Sequence, residues 1–471
     1  MTSSTVAEAA APDPTRRRAW AVLVVVCGAL FLEGIDIAML NVAVPAIAAD
    51  IGLTTGTAHW VISAYVLAYG GFMIFGGRTA DLLGRRRVFL IALAVFILFS
   101  GLGGLAQDPW VLVVSRFVTG ATAGFMTPAG FSLLTTSFPE GSLRNRALAI
   151  YGAIGAGGFT LGVVVGGMLT NVSWRLVFFA PVVLGTLLWL AGRAVIRPDA
   201  PARRRGGFDV GGAITLTLAM VSLIYGIVAL GEDLGDAFGI AAVAAAAVLL
   251  VGFVAIERRV RDPLLRLGVL GEGLLLRVSL AGLLFMGAFF AFQYVVTLYL
   301  QDFRGWTPLA TGLTFVVMGA DMLLAPLLTH RLVERFGNTR VMVAGLVAGA
   351  LAFALTLRFD GMWGYWELLP SLVLIAVMFA LVYGPLTAAA AEGVDEAEHG
   401  VAGGVVYTGF QFGAALGISL ATIVLAGSHG AAGLDDYGRA LIVPVVAAVL
   451  AVLLGVAAVR KHRSLAAADV L

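Results

Sequence analysis

Charged side chains are scarce in this sequence. Asp, Glu, Lys and Arg make up 12% of its 471 residues, whereas soluble domains carry about 25%. Apolar residues make up 60%, and the mean hydropathy is +0.99. A chain with so little charge cannot cover soluble domains with polar surface. This excludes an ordinary cytosolic enzyme, a nucleic-acid-binding protein and a disordered scaffold, and it predicts a polytopic membrane protein.

Cysteine and lysine are almost absent. Cys27 is the single cysteine, so no disulfide can form within the chain. Lys461 is the single lysine, and the preference for arginine is typical of a GC-rich bacterial genome. No phosphate-binding loop, metal-ligand cluster or Ser/His/Asp arrangement stands out. We therefore expect no enzymatic activity, no cofactor and no bound metal.

Apolar runs separated by charged or turn-forming residues predict fourteen membrane spans, because one span needs about 20 apolar residues. When the amino terminus is placed inside, 25 of the 30 Lys and Arg residues fall in inner segments. Four lie in outer segments, and Arg116 lies within a span. This asymmetry follows the positive-inside rule. We therefore expect a multi-pass protein of the bacterial inner membrane with both termini in the cytoplasm.

Two predicted inner loops repeat each other. Residues 77–87 read GRTADLLGRRR and residues 330–340 read HRLVERFGNTR, so that Asp81 aligns with Glu334 and Gly84 with Gly337. A repeat at matching positions is typical of transporters built from related bundles. The charges of these loops either hold one conformation of the bundles or only fix the topology. The candidate gating residues are Gly77, Arg78, Asp81, Gly84, Arg85, Arg86, Glu334 and Gly337.

Further motifs lie in three of the predicted spans. Span 1 carries Asp36, Asn41-Val42-Ala43 and Pro45; span 4 carries Arg116, Gly120 and Gly124; span 5 carries Gly152, Gly155, Gly158, Gly162 and Gly166. With these motifs, and with the G-x-x-x-D-x-x-G-R-R pattern of residues 77–86, the sequence resembles the major facilitator superfamily. The resemblance is nearest to its fourteen-span drug:proton antiporters of the EmrB/QacA type. One departure is Phe159, which follows Gly158 where these antiporters usually have proline.

The resemblance implies an all-α membrane protein with the major facilitator fold, which has two six-helix bundles and, here, an inserted two-helix hairpin. It divides the chain into a cytoplasmic tail (1–18), an N-terminal bundle (19–197), the hairpin of spans 7 and 8 with its linkers (198–260), a C-terminal bundle (261–460) and a second cytoplasmic tail (461–471). It also implies a monomer, and it makes the glycine-rich span 5 the antiporter helix.

Few ionisable residues lie within the predicted spans, where a charge is costly. Glu33 and Asp36 are three residues apart and share one face of span 1. Two neighbouring carboxyl groups at low dielectric suit a reversible proton carrier. Asp36 and Arg116 fall in the same half of the bilayer and can pair. We predict that Glu33, Asp36 and Arg116 couple transport to protons; the alternative is a static ion pair that fixes packing.

Other polar residues interrupt the spans and are candidates for binding a substrate. Asp321 is expected near the midplane of span 10, where it binds a cationic substrate or a proton, or makes a structural hydrogen bond. The remaining candidates to line a cavity are Tyr65, Tyr69, Asn41, Gln293, Tyr294 and Gln411. The aromatic residues among them serve packing equally well.

The function favoured by these observations is proton-coupled export of small amphipathic, often cationic compounds by alternating access. Drugs, biocides and antibiotics are the substrates that the resemblance implies, and the partners are protons and the lipid bilayer. Three alternatives stay open: a nutrient uptake facilitator, an exporter of a lipid, and an exporter of a single natural product. The direction of transport in a pH gradient separates the first of these from export.

Overall fold

A computed structural model describes the backbone of residues 14–138, 142–198, 209–232, 235–260, 263, 274–358, 363–392, 399–426 and 433–468. All regular structure in these ranges is helical, which confirms the all-α prediction. Eleven helices are long and apolar enough to cross a membrane, and one bent helix pair adds a twelfth. The shorter apolar stretches Trp60–Met73 and Leu161–Val172 lie in two further helices. The described helices are therefore compatible with fourteen spans.

The helices other than the four-residue Thr55–Ala58 are numbered α1 to α14 in chain order. They are α1 Pro14–Ile51, α2 Trp60–Leu83, α3 Arg85–Gly104, α4 Pro109–Ser137, α5 Ser142–Val172, α6 Leu176–Val195, α7 Val210–Glu232, α8 Ala237–Glu257, α9 Leu274–Phe303, α10 308–336, α11 Asn338–Leu355, α12 Tyr365–Ala391, α13 His399–Ala426 and α14 434–468. Among the described helices, α10 is the candidate span that is bent by more than 40°. Its parts Pro308–Leu324 and Leu327–Phe336 meet at an angle of 42°, where the sequence predicted one continuous span.

The first six helices and the last six helices pack in the same pairwise pattern. In the first half, α1 packs on α5 and α6, and α4 packs on α2 and α3. In the second half, α9 packs on α13 and α14, and α12 packs on α10 and α11. This equivalence is the structural form of the repeat seen in the loops. We use "first half" for α1–α6 and "second half" for α9–α14.

The two halves meet along two equivalent seams, α2 against α13 and α5 against α10. On the second seam, Gly167 lies against the backbone of Pro308, and Gly312 lies against the carbonyl oxygen of Val163. A third contact joins Gln301 of α9 to α1, with 3.0 Å from its Nε2 to the carbonyl oxygen of Val42. These contacts lie near the helix ends that the sequence predicts to be on the outer side of the membrane. The halves are therefore in contact on the predicted outer side.

The inserted pair α7–α8 lies beside the seam between α2 and α13. α7 contacts both of these helices, and α8 packs on α7. The Thr217 hydroxyl donates a hydrogen bond to the carbonyl oxygen of Gly71, over 3.0 Å. The pair is thus attached to both halves through one of its helices.

Candidate functional site

Asp36 of α1 and Arg116 of α4 form an ion pair inside the first half. Arg116 Nη1 donates to Asp36 Oδ2 over 2.8 Å, and each side chain is 1% exposed. Arg116 Nε donates to the carbonyl oxygen of Val61 over 3.2 Å, and the guanidinium carbon lies 4.4 Å from the centre of the Tyr65 ring. Such extra contacts matter because the desolvation of two buried charges can exceed their attraction. The predicted proximity is confirmed, and α2 supplies these two further contacts of the arginine.

Glu33 lies in a separate hydrogen-bonded cluster. Its Oε2 accepts from the Tyr69 hydroxyl over 2.8 Å and from the Thr127 hydroxyl over 2.6 Å, and the two hydroxyl oxygens are 2.7 Å apart. Within the described part of the chain, neither Glu33 Oε1 nor Asp36 Oδ1 has a hydrogen-bond partner. Each carboxyl group thus keeps one oxygen that can take up a proton without breaking a described contact.

The glycines of α5 contact the face of α1 that lies opposite its carboxyl groups. At about 100° per residue, the contacted positions of α1 lie on one side of the helix, and Glu33 and Asp36 lie on the other. A Cβ on these glycines would come within 2.5–2.9 Å of atoms of α1, so only glycine permits this approach. The contacts join Gly158 to Phe31, Gly162 to Ile35 and Gly166 to Met39.

Gly155 and Gly152 are the remaining glycines of this motif. Gly155 lies against the side chain of Leu30. The surroundings of Gly152 lie outside the described residues. The antiporter role that the resemblance implies for the glycine-rich helix stays a prediction.

The second half has its own glycine-rich contact, which the sequence analysis missed. α13 places three glycines, four residues apart, against the backbone of α9. This contact could have been predicted from the four-residue spacing of the glycines, because the α5 glycines have the same spacing. The contacts join Gly409 to Ser279, Gly413 to Leu283 and Gly417 to Gly287.

The polar residues predicted to line a cavity fall into two groups. Tyr65 and Tyr69 contact the charged groups described above. Of the others, Gln411 is half-buried against Gly70 across the seam of α2 and α13. Asn41 of α1 and Gln293 and Tyr294 of α9 are buried on two helices that contact each other between the halves. Both amide atoms of Gln293 are without a hydrogen-bond partner among the described residues. An unsatisfied buried polar group costs about 1–3 kcal/mol, which favours a functional reason for Gln293.

Asp321 lies in the second half, in the irregular part of α10. It is half-buried at the start of the short segment Asp321–Leu324, between the tight turn Val316–Ala320 and the wide turn Ala325–Thr329. Such local changes of helix type often mark functional positions. The segment contacts both α5 and α12. The segment that begins at Asp321 therefore borders both halves.

The two repeated loops have the same backbone geometry. Gly84 and Gly337 have positive φ angles of 102° and 81°, which L-residues with a side chain rarely adopt. Their N–H groups donate to the carbonyl oxygens of Ala80 and Val333, over 3.1 and 2.8 Å. This confirms the tight turn expected from the aligned glycines.

The structure describes the surroundings of some of the candidate gating residues near these turns. Arg86 Nη2 donates to the carbonyl oxygen of Arg193 over 3.1 Å, and Glu334 is exposed. Gly77 of α2 lies near Pro128 of α4. The side chains of Arg78 and Asp81 lie outside the described residues. The gating role of the loops stays a prediction.

Family membership follows from a sequence profile. The profile of the Major Facilitator Superfamily matches residues 26–418 and, in a second match, residues 278–468. The chain belongs to the Major Facilitator Superfamily. The second match begins at residue 278, four residues after the start of α9, in keeping with the repeat of the two halves.

Named relatives in this superfamily share about a third of their residues with the chain. The puromycin resistance protein pur8 of Streptomyces alboniger is 34% identical over 444 residues, which is 92% of this chain and 86% of the relative. The cephamycin export protein CmcT of Amycolatopsis lactamdurans is 34% identical, over 89% of this chain and 88% of its own length. The lincomycin resistance protein of Streptomyces lincolnensis is 32% identical, over 94% and 93%.

Solved structures confirm the fold at a lower level of identity. An auto-inhibited peptide transporter of the POT family superposes with a TM-score of 0.68 at 18% identity, covering 95% of this chain and 97% of that one. The nucleoside transporter NupG superposes with a TM-score of 0.63 at 14% identity, covering 94% and 99%. At these identities the likeness concerns the major facilitator fold alone.

Proposed function

We propose that this chain is an antiporter that exports small amphipathic, often cationic drugs, biocides or antibiotics in exchange for protons. The export part is supported by its relatives, whose names include puromycin and lincomycin resistance and cephamycin export. The proton part rests on one observation. Asp36, which is paired with Arg116 of α4, and the buried Glu33 share one face of α1.

The coupling step requires a carboxyl group whose proton affinity differs between two conformations. An arginine nearby favours the ionised carboxylate, and separation from it in a low dielectric favours the protonated form. One pKa unit corresponds to about 1.4 kcal/mol, so a small change in the Asp36–Arg116 distance is enough. Asp36 is then protonated from outside and releases its proton inside, and Glu33 passes or shares it.

The packing provides a path from the seam to this pair. α5 contacts α10 of the second half at Gly167 and contacts α1 through Gly158, Gly162 and Gly166. The carboxyl groups lie on the far side of α1, facing α4. A shift of α5 with the seam therefore moves α1 relative to α4, and this changes the separation of Asp36 from Arg116.

Substrate contacts are assigned to the polar residues near the seams, with Asp321 as the charged member. Asn41, Gln293, Tyr294 and Gln411 supply hydrogen-bonding groups. Tyr65 and Tyr69 border this region while holding the charged groups. The repeated loops, with Asp81 and Glu334, stabilise one arrangement of the halves over the other, since only a differential contact shifts such an equilibrium.

The proposal also covers the setting of the protein. The chain works as a monomer in the bacterial inner membrane, with both termini in the cytoplasm. Residues 19–197 and 261–460 form the two moving bundles, and residues 198–260 form the inserted hairpin with its linkers.

A susceptibility panel tests export directly. An efflux-deficient bacterial host expressing the chain is compared with the same host expressing the Asp36→Asn variant, at matched membrane levels of protein. We expect protection against several amphipathic cations with the native chain only. Equal susceptibility of the host with and without the well-expressed native chain to every compound would contradict drug export, whereas equal protection by the native chain and Asp36→Asn would contradict only the role of Asp36.

A further inference from the structure

A row of aromatic rings runs from the first half into the second half near the middle of the helices. It starts at Phe159 of α5, whose ring centre lies 5.5 Å from Phe289 and 5.9 Å from Phe290 of α9. It continues from Phe289 to Phe379 of α12 over 4.6 Å and from Phe379 to Phe285 over 5.0 Å. We call these five residues the aromatic row.

Phe159 is the single member of the row that belongs to the first half. Its contacts with Phe289 and Phe290 are therefore contacts between the halves, whereas the other contacts lie within the second half. In the sequence, Phe159 directly follows Gly158 of the glycine-rich motif. A relative movement of the halves therefore changes the ring contacts of Phe159, whereas the ring contacts within the second half can stay the same.

The row presents ring surface that the protein does not fully cover. Phe159 and Phe379 are half-buried, while Phe285 and Phe289 are buried at 1% and 2% exposure. Phenylalanine rings offer no hydrogen bonds, so water gains little at such a surface. Aromatic rings do gain from a second ring at 4.5–7 Å, by about 0.5–1.5 kcal/mol beyond the area buried.

We propose that the aromatic row binds the planar, fused-ring part of the exported compound, which takes the place of the Phe159 ring against Phe289 and Phe290. This inference rests on drug export as the function and adds the chemical class of the substrate. The row lies near mid-membrane, the depth at which transporter substrate sites occur. Phe159 covers the site when it is empty and competes with the ligand for the same ring faces.

This competition predicts effects of opposite sign at two phenylalanines. Phe289→Leu removes a ring that the ligand contacts, so it weakens binding. Phe159→Leu removes the competing ring, so it strengthens binding. Phe292→Leu is the matched control, because Phe292 lies on the same helix, is 0% exposed and contacts Phe353 at 5.4 Å, outside the row.

The experiment measures equilibrium binding of two cations to the purified full chain in detergent micelles. Rhodamine 6G has a planar fused-ring system, and tetrapentylammonium has no aromatic group. For rhodamine 6G we expect about fivefold weaker binding by Phe289→Leu and about fivefold tighter binding by Phe159→Leu, the size of one aromatic pair. Tetrapentylammonium binding by both variants, and binding of both cations by Phe292→Leu, should stay within about twofold of the native value.

Changes of the same sign at Phe159 and Phe289 would overturn the proposal. So would equal effects on the two cations, or no binding of rhodamine 6G by the native chain. None of these results bears on whether the chain exports drugs, because the susceptibility panel decides that separately in cells.

Discussion

Asp36 and Arg116 form a 2.8 Å ion pair with each side chain 1% exposed, yet the two partners differ in what happens when one is removed. A carboxyl group left alone in the membrane can take up a proton and become neutral, whereas a guanidinium stays charged. An unpaired buried charge destabilises a protein by about 3–5 kcal/mol.

We therefore predict that Asp36→Asn lowers thermal stability more than Arg116→Gln does. Asp36→Asn leaves the Arg116 charge without its counter-ion, while Arg116→Gln leaves a carboxyl group that can be neutralised. Thermal unfolding of the purified variants in detergent, followed by intrinsic fluorescence, measures the difference. Equal losses, or a larger loss in Arg116→Gln, would show that the pair does not determine the stability of this region.

The glycine contact between α5 and α1 gives a second prediction. A Cβ at Gly162 would lie 2.7 Å from the Cα of Ile35, so Gly162→Ala must push the helices apart. We expect at least about tenfold slower transport, because the path from the seam to Asp36 runs through this contact. The control is Gly384→Ala, a helical position where a Cβ meets nothing within 4 Å. Similar transport rates in the two variants would argue against tight α5–α1 packing as the link.

The repeated turns give a prediction about stability. Alanine at Gly84 or Gly337 is forced into a positive φ angle with an extended ψ angle, a sparsely populated conformation that costs about 1–3 kcal/mol. We expect Gly84→Ala and Gly337→Ala to lower the unfolding temperature by similar amounts, because the two turns share one geometry. Gly438→Ala is the control, since it is helical with no atom within 4 Å of the added Cβ. A loss confined to one of the two turns would contradict their structural equivalence.

Asp321 gives a prediction about substrate selectivity. Its half-buried carboxyl group attracts cations, and two positive charges gain more from it than one. Asp321→Asn should therefore weaken transport of divalent cationic drugs more than that of monovalent or neutral ones, as measured by dye and drug efflux from cells. A uniform loss across all substrates, together with altered proton leak, would assign Asp321 to coupling instead.

The helix content, the repeat and the Asp36–Arg116 pair could all be predicted from the sequence. Apolar runs of about 20 residues predict membrane-spanning helices. The alignment of the loops that contain Asp81 and Glu334 predicts the repeat of the two halves. A buried arginine and a buried aspartate at similar depth have few other partners, which is why their pairing was predictable.

Contacts that depend on how helices rotate against each other could not be predicted. The sequence does not show that Tyr69 and Thr127 meet at Glu33, because the three residues lie on different helices. The irregular backbone around Asp321 was missed for a similar reason, since a bend within an apolar run leaves the hydropathy unchanged. The inter-half contact of Phe159 with Phe289 likewise requires the fold.

The central claim is that Asp36 carries the proton that drives export, and one measurement tests it most directly. The native chain, Asp36→Asn and Arg116→Lys are reconstituted in proteoliposomes, and the pH change on adding substrate is recorded together with substrate binding. We expect the pH change to vanish in Asp36→Asn while binding persists, and to survive in part in Arg116→Lys, because a lysine keeps the charge without the bidentate geometry. Substrate-driven proton movement at the native rate in Asp36→Asn would contradict the account and leave Glu33 or Asp321 as the carrier.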